Sequence, residues 1–336
     1  MTVEELNKQL KSKILKQVYF FYGEEFFLME NKINSIKKKV VEKGFEDFNF
    51  FRFEGKKVGV EEIAEAIEQF PQMSEKKMIF VKNTGLFQNA TTKDFKRIKE
   101  IVGNLPPYVC VIFEEDNFDK KKIKNLKFIE EVGGVINFEY LPINKLEVWL
   151  GQRFDKAEKY ITAPDLSHMI RLCGQSLGKI DMEFEKLINY LGDRKKITRE
   201  DIDAVVDLTV EYRVYDMLDN IVANKSKAAR EQLQYLRNSK EKPNTILSIM
   251  MGKMSELLLC KLLKEDGMQA GDMTAYFDYF KPSFVVKKTI DESKYFGEKF
   301  LKRMIDKGLK YDIDIKTGKL EGWTAVEMYL AELTIK

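Results

Sequence analysis

The sequence predicts an α/β amino-terminal domain built on a parallel sheet, followed by two all-α domains. Three observations carry that expectation. Up to Leu141, short apolar β-rich runs alternate with stretches of helical periodicity, the pattern of a parallel sheet covered on both faces. After Pro142 the β signals fade and helical periodicity continues to the end. At 336 residues the chain is too long for one typical core. The expected divisions are 1–141, 142–210 and 211–336.

Val18 to Tyr22 reads as the first strand, and Phe26, Phe27, Met29, Ile33, Ile36 and Val40 mark one face of the helix after it. Phe48, Phe50 and Phe53, with Phe51 and Arg52 between them, make a strand that stops at the turn pair Glu54-Gly55. Val60, Ile63, Ala64 and Ile67 then fall at helical spacing, with Glu61, Glu62, Glu65 and Glu68 on the other side. Pro71 ends that helix, because proline has no N–H and disfavours helical geometry at the residue before it. Met78 to Val81 is short and continuously apolar, as expected of a buried parallel strand. A helix around Lys93 to Val102, a strand Tyr108 to Phe113, a helix Lys121 to Val132 and a strand Val135 to Phe138 complete the first domain, which Leu141-Pro142 closes.

Glu147 to Tyr160, Pro164 to Cys173, Leu177 to Leu191 and Arg199 to Leu208 form a small bundle, with Pro164 tolerated in a first helical turn. Thr198 with Asp201 approximates a capping box, the usual glutamate replaced by its shorter homologue. From Glu211 onward, helices at Val214 to Val222, Ala228 to Arg237 and Thr245 to Leu263 follow one another. The last of these is apolar around much of its circumference, which requires burial between other helices. A late helix, Lys299 to Lys316, stops near Gly318.

Phe70-Pro71-Gln72-Met73 places an apolar tip at a helix-to-strand turn. Two readings stand. Phe70 and Met73 either fold back onto the body as core or stay out as a docking site, for which methionine's flexible thioether suits a partner's pocket.

One-third of the residues are charged, but the formal net charge is only +3, too small to argue for nucleic acid by itself. Cys110, Cys173 and Cys260 are few, odd in number and set among apolar neighbours, so they read as buried thiols of a reducing cytoplasm. No stretch approaches a run of roughly 18 apolar residues and no basic-then-apolar leader opens the chain, so a cytoplasmic location is expected.

A phosphate-binding P-loop needs several glycines, then Lys, then Ser or Thr. Here the first strand runs into Gly23-Glu24-Glu25-Phe26-Phe27, with one glycine, two carboxylates and no lysine. Carboxylates at that place repel a triphosphate. Glu114-Glu115-Asp116, after a later strand, lack a phosphate cradle to serve and read as a solvated turn. His168 is the only histidine, which leaves no catalytic relay or His-rich metal site, and no C-x-x-C pair suggests zinc. Neither a catalytic residue nor a cofactor is therefore expected. Lys120, Lys121, Lys122 and Lys124, continuing to Lys127, form a basic helix edge, and Arg194-Lys195-Lys196 a basic loop. Such lysines neutralise phosphates without reading sequence, but nearby acids favour a plain solvated surface. Phe118 and Phe128 beside them read as core rather than as base-stacking platforms.

Taken in order and spacing, several segments carry a resemblance: Tyr19-Phe20-Phe21-Tyr22-Gly23-Glu24-Glu25, Phe70-Pro71-Gln72-Met73-Ser74-Glu75-Lys76-Lys77-Met78, Leu146-Glu147-Val148-Trp149-Leu150, Glu183-Phe184-Glu185-Lys186-Leu187, Ile197-Thr198-Arg199-Glu200-Asp201-Ile202 and Asp314-Ile315-Lys316-Thr317-Gly318. Over nearly its whole length the chain resembles the delta subunit of the bacterial DNA polymerase III clamp loader. The resemblance implies an AAA+-like, ATPase-like first domain that binds no ATP, a small helical lid domain and a helical collar. It implies a subunit without catalysis of its own that binds and opens the sliding clamp (beta) for loading on primed DNA. Its other implied partners are the gamma/tau and delta prime subunits of a hetero-oligomeric ring. In the family an apolar wedge before the strand grips the clamp, and Gln72 and Met73 occupy those positions. Gln72 departs from the usual bulky apolar residue, so Phe70 is the alternative companion of Met73, with Pro71 between them. Two other readings remain: a loader or remodelling ATPase with a degenerate site, which predicts ATP hydrolysis, and a DNA-binding module, which predicts salt-sensitive binding through Lys120 to Lys124.

Overall fold

All five strands of the sheet run parallel, in the order β2-β3-β4-β1-β5, as a computed structural model describes them over residues 1–116, 118–223, 225–277 and 283–334. The elements along the first unit are α1 (Val3–Ser12), β1 (Val18–Gly23), α2 (Phe26–Val40), α3 (Glu46–Asn49), β2 (Phe50–Glu54), α4 (Val60–Glu68), β3 (Lys77–Lys82), α5 (Lys93–Gly103), β4 (Val109–Glu115), a 3-10 helix (Lys120–Leu126), α6 (Lys127–Val132) and β5 (Gly134–Phe138). The unit comprises Met1–Leu141 together with Ser176–Gly178.

The two-residue period of a strand sorts its side chains onto two cores. Val18, Phe20, Ile79, Val81, Val111 and Phe113 face one way, onto apolar residues of α4, α5 and α6 such as Ile63, Ile98 and Ile129. Tyr19, Phe21, Met78, Phe80, Cys110 and Ile112 face the other way, onto Leu6 and Leu10 of α1 and Met29, Ile33 and Ile36 of α2. β1, β3 and β4 are buried along almost their whole length, whereas the edge strand β2 is only partly covered. This is the α/β domain with a parallel sheet that the alternation of the sequence predicts.

Four local expectations need correcting. Phe48 is not in a strand; with Glu46, Asp47 and Asn49 it forms the single turn α3, and its ring is exposed. Phe26 opens α2 but points outward, because the buried face of that helix begins at Met29. Residues 120–126 wind as a 3-10 helix that passes into α6 at Lys127, so the expected helix has a tighter first half. Helix α1, which Thr2 and Glu5 start with a capping box, has no counterpart among the expected elements.

The second unit, Pro142–Gln175 with Lys179–Lys336, is helical. It contains α7 (Ile143–Lys156), α8 (Ala163–Cys173), most of α9 (Leu177–Leu191), α10 (Arg199–Val205), α11 (Val210–Val222), α12 (Ser226–Asn238), α13 (Pro243–Glu265), α14 (Ala270–Met273), α15 (Ser283–Ser293), α16 (Glu298–Lys316) and α17 (Gly322–Thr334). Thr198 caps α10, with Asp201 accepting the Thr198 N–H at its carboxylate at 3.0 Å. As its all-round apolarity requires, α13 is enclosed: Ile246, Leu247, Met250, Met254 and Leu257 share one core with α11, α12, α16 and α17. Cys260 and Leu263 join Val286 and Ile290 in another. Lys253 of α13 reaches Glu292 of α15 at 2.6 Å, both largely buried. Cys110, Cys173 and Cys260 are free and buried.

Gly23, where β1 turns toward α2, has φ +126°, a region open to glycine. A Cβ there would stand 2.3 Å from the Phe138 carbonyl oxygen, which already accepts from the N–H groups of Glu24 and Glu25, each at 2.9 Å. Neither partner can retreat without breaking the β1–β5 edge. Gly23→Ala is therefore expected to cost about 2–4 kcal/mol, read as a lower urea midpoint; an unchanged midpoint would show that the turn yields.

Candidate functional site

The apolar tip sits where α4 hands the chain to β3. α4 buries Val60, Ile63, Ala64, Ala66 and Ile67 and keeps its glutamates in solvent, as its spacing requires. It stops at Glu68, with Gln69 as C-cap, two residues before Pro71. Beyond it, Phe70 and Met73 are 78% and 79% exposed, the two most exposed large apolar side chains among the described residues. That excludes the reading in which they fold back as core. Gln72 is also exposed and Pro71 half-buried. Met73 takes a left-handed backbone, φ +50°, which for a residue with a side chain costs about 1–2 kcal/mol unless its surroundings hold it.

Those surroundings were not legible in the sequence. Asn49, fully buried at the end of α3, donates its Nδ2 to the Gln72 carbonyl and accepts the Gln72 N–H at Oδ1, each at 2.8 Å. The Lys77 side chain, fully buried although it opens β3, turns back beneath α4. Its Nζ donates to the Ala66 carbonyl at 2.5 Å and to the Gln69 carbonyl. Tyr108 donates its hydroxyl to the Glu68 carbonyl at 3.3 Å, and its ring lies 5.1 Å from that of Phe70. Carbonyls left over at a helix C-terminus are where an ammonium is best received. Burial still pushes the Lys77 pKa down to about 8. An Asn between Phe48 and Phe50 and a Lys opening an apolar strand are the only traces of this arrangement in the sequence.

The position of a P-loop is filled from within. Glu25, almost wholly buried, accepts the Leu177 N–H of the same unit at 3.0 Å. Burial raises its pKa, opposed by the backbone N–H groups of Leu177, Phe27 and Leu28. A carboxylate thus lies against the helix N-terminus where a phosphate would otherwise be favoured. Glu114 and Glu115 are buried, which corrects the expectation of a solvated turn. They lie at the end of β4, in register with Phe21 and Tyr22. Glu114 takes the Lys82 ammonium at 2.6 Å, and Glu115 accepts from the Gly85 N–H at 2.8 Å and the Thr84 hydroxyl at 3.3 Å. Burial raises the pKa of both carboxyls. Among the described residues no group of three or more His, Cys, Asp or Glu is disposed to hold a metal ion.

His168 lies on α8, bonded to Asp203 at 2.6 Å and Arg171 at 2.9 Å, a packed polar contact within the bundle. Lys120 pairs with Glu139 at 2.9 Å; Lys121 and Lys124 are exposed and Lys122 is half-buried. Phe118 is core, its ring 5.1 Å from that of Phe20, and Phe128 packs beside Phe95 and Phe87. Arg194 is tied to Asp201 at 3.0 Å, while Lys195 and Lys196 are exposed.

A family model described as DNA polymerase III, delta subunit matches residues 19–139, and one described as DNA polymerase III delta subunit, C-terminal domain matches residues 211–333. Together they span well over half of the chain. The DNA polymerase III subunit delta of Bacillus subtilis (strain 168) is 23% identical over 335 residues, covering 97% of this chain and 95% of that one. The probable DNA polymerase III subunit delta of Aquifex aeolicus (strain VF5) is 22% identical over 275 residues, covering 79% and 77%. The solved Bacillus subtilis DNA clamp loader delta protein has a similar fold, with TM-score 0.61 and 22% identity over 99% of this chain and 100% of that one.

The lowered pKa of Lys77 gives a pH test. Between about pH 8 and its ordinary value of 10.5 the unfolded chain holds a proton that the folded chain has released, so stability rises across that window. The stability of wild type relative to Lys77→Met should climb by about 1–3 kcal/mol from pH 8 to 10.5, followed by chemical denaturation of the two proteins side by side. A flat difference would mean that the ammonium is not held away from water.

Proposed function

The chain belongs to the DNA polymerase III delta subunit family, and on that premise we propose that its first unit docks on a sliding clamp through Phe70 and Met73, with Pro71 and Gln72 at the contact. It is a clamp-loader subunit acting in DNA replication. The observation that carries the docking site is the pair of bare apolar side chains at the α4–β3 turn. Phe70, rather than Gln72, completes the wedge with Met73.

Burying two such side chains supplies about 3–5 kcal/mol. Converting a ring that is about 1% open into one about 99% open needs a preference near 5.5 kcal/mol for the open form. Only the part of that energy gained against the open ring and not the closed one counts toward this preference, and other contacts in the assembled loader add to it on the same condition. Residues 142–210 act as a lid domain and 211–336 as the collar that joins gamma/tau and delta prime. ATP acts through those partners; this reading is supported by the missing P-loop lysine after β1 and by Glu25, which is engaged with the Leu177 N–H. The chain is then a non-catalytic cytoplasmic subunit of a DNA-directed DNA polymerase, a nucleotidyltransferase by assembly.

The deciding experiment is surface plasmon resonance of the chain against the sliding clamp of its own organism. Phe70→Ser with Met73→Ser should weaken binding roughly 10²–10³-fold with circular dichroism unchanged, and Gln72→Ala should change it far less. Retained binding in the folded double variant would move the wedge elsewhere.

Lys121, Lys122 and Lys124, together with Lys120, are assigned a minor role, touching primed DNA inside the assembly. Replacing Lys121, Lys122 and Lys124 by Ser should reduce the salt dependence of DNA binding by the reconstituted loader by about one unit of slope for each phosphate left without its lysine, without altering clamp affinity. An unchanged slope would leave them as ordinary surface.

A further inference from the structure

We propose that Asn49 is a positioning residue that presets the docking tip, so that the clamp meets a main chain already in its bound conformation. The inference rests on the docking role given above to Phe70 and Met73. Three observations lead to it. The Asn49 amide makes both of its bonds to a single residue, Gln72, which stands between the two exposed apolar side chains. It binds main chain and not side chain, so what it fixes is the path of the tip. Asn49 itself is fully buried, whereas the side chains it mounts are bare, an unusual burial of a polar group beside a solvated loop.

The rest of the mount agrees. Lys77 and Tyr108 tie down the last carbonyls of α4 on one side of the tip, and Met73 is held in a left-handed conformation on the other. A loop that is free in solution must be ordered on binding, at a cost in affinity; one ordered beforehand avoids it. The Asn49 pair and the Lys77 mount therefore do for the tip what a crosslink would do in a binding peptide.

An aspartate at position 49 separates positioning from bulk stability. Its carboxylate accepts the Gln72 N–H but faces the Gln72 carbonyl with no proton to donate, whereas its protonated form again has one donor and one acceptor. Burial raises that carboxyl above the ordinary carboxylate range, so that it carries its proton at pH 5 and has released it by pH 7.5. With wild type, Asn49→Asp and the Phe70→Ser, Met73→Ser double variant compared on the same clamp surface, Asn49→Asp should bind about tenfold more weakly at pH 7.5. It should return to within about twofold of wild type at pH 5, as the carboxyl protonates. A folded Asn49→Asp protein that binds like wild type at pH 7.5, while the double variant has lost binding, overturns the preset tip and leaves the docking site standing. Full binding by the double variant removes the docking site, and this inference with it.

If the aspartate variant does not fold, the wild-type chain decides alone. The Gln72 amide should exchange with deuterium at least about 100-fold more slowly than in an unstructured peptide, and free exchange would show that the Asn49 bond does not hold the tip.

Discussion

Because every strand of the first unit points the same way, the sheet has a polarity that sorts its turns into two ends. Each strand-to-helix turn falls at the carboxyl edge and each helix-to-strand turn at the amino edge. Gly23, Glu25, Lys82, Glu114 and Glu115 therefore gather at one end, and Asn49, Phe70 to Met73, Lys77 and Tyr108 at the other. Open parallel sheets ordinarily receive ligands at the carboxyl edge. Here that edge holds buried carboxylates of the chain itself, and the exposed apolar surface lies at the opposite one.

The two ends use the same chemistry for opposite purposes. At the carboxyl edge a buried carboxylate lies against a helix N-terminus and a second buried carboxylate, Glu114, takes the partly covered ammonium of Lys82 where two strands end. At the amino edge a buried ammonium lies against a helix C-terminus and a buried amide against a loop backbone. Each of these groups is costly to bury unpaired, which ties its neighbours tightly to it. The amino edge thereby gains a loop of fixed shape.

Periodicity made most of the framework legible. Ile63, Ala64 and Ile67 placed the buried face of α4, Pro71 placed its end, and the unbroken apolar run Met78 to Val81 placed a central strand. The exposed tip was legible as an anomaly, but only the structure decides that Phe70 and Met73 stand out from the core. Phe48 reads as strand because an aromatic residue carries the same strand signal inside a single helical turn as in the strand that follows it. Asn49, Lys77, Glu114 and Glu115 escaped for a common reason: polar residue types are ordinarily solvated, and the partners that make burial tolerable lie 23 residues away for Asn49 and 32 for Glu114. No local pattern encodes such pairings.

The manner in which Asn49 holds the tip has a bearing on how such a site can change over generations. Its bonds go to the peptide group of Gln72, so they place no demand on the side chain there. On the proposed docking role, position 72 can carry any side chain that suits the partner without disturbing the mount, and a glutamine between two apolar anchors is compatible with the contact.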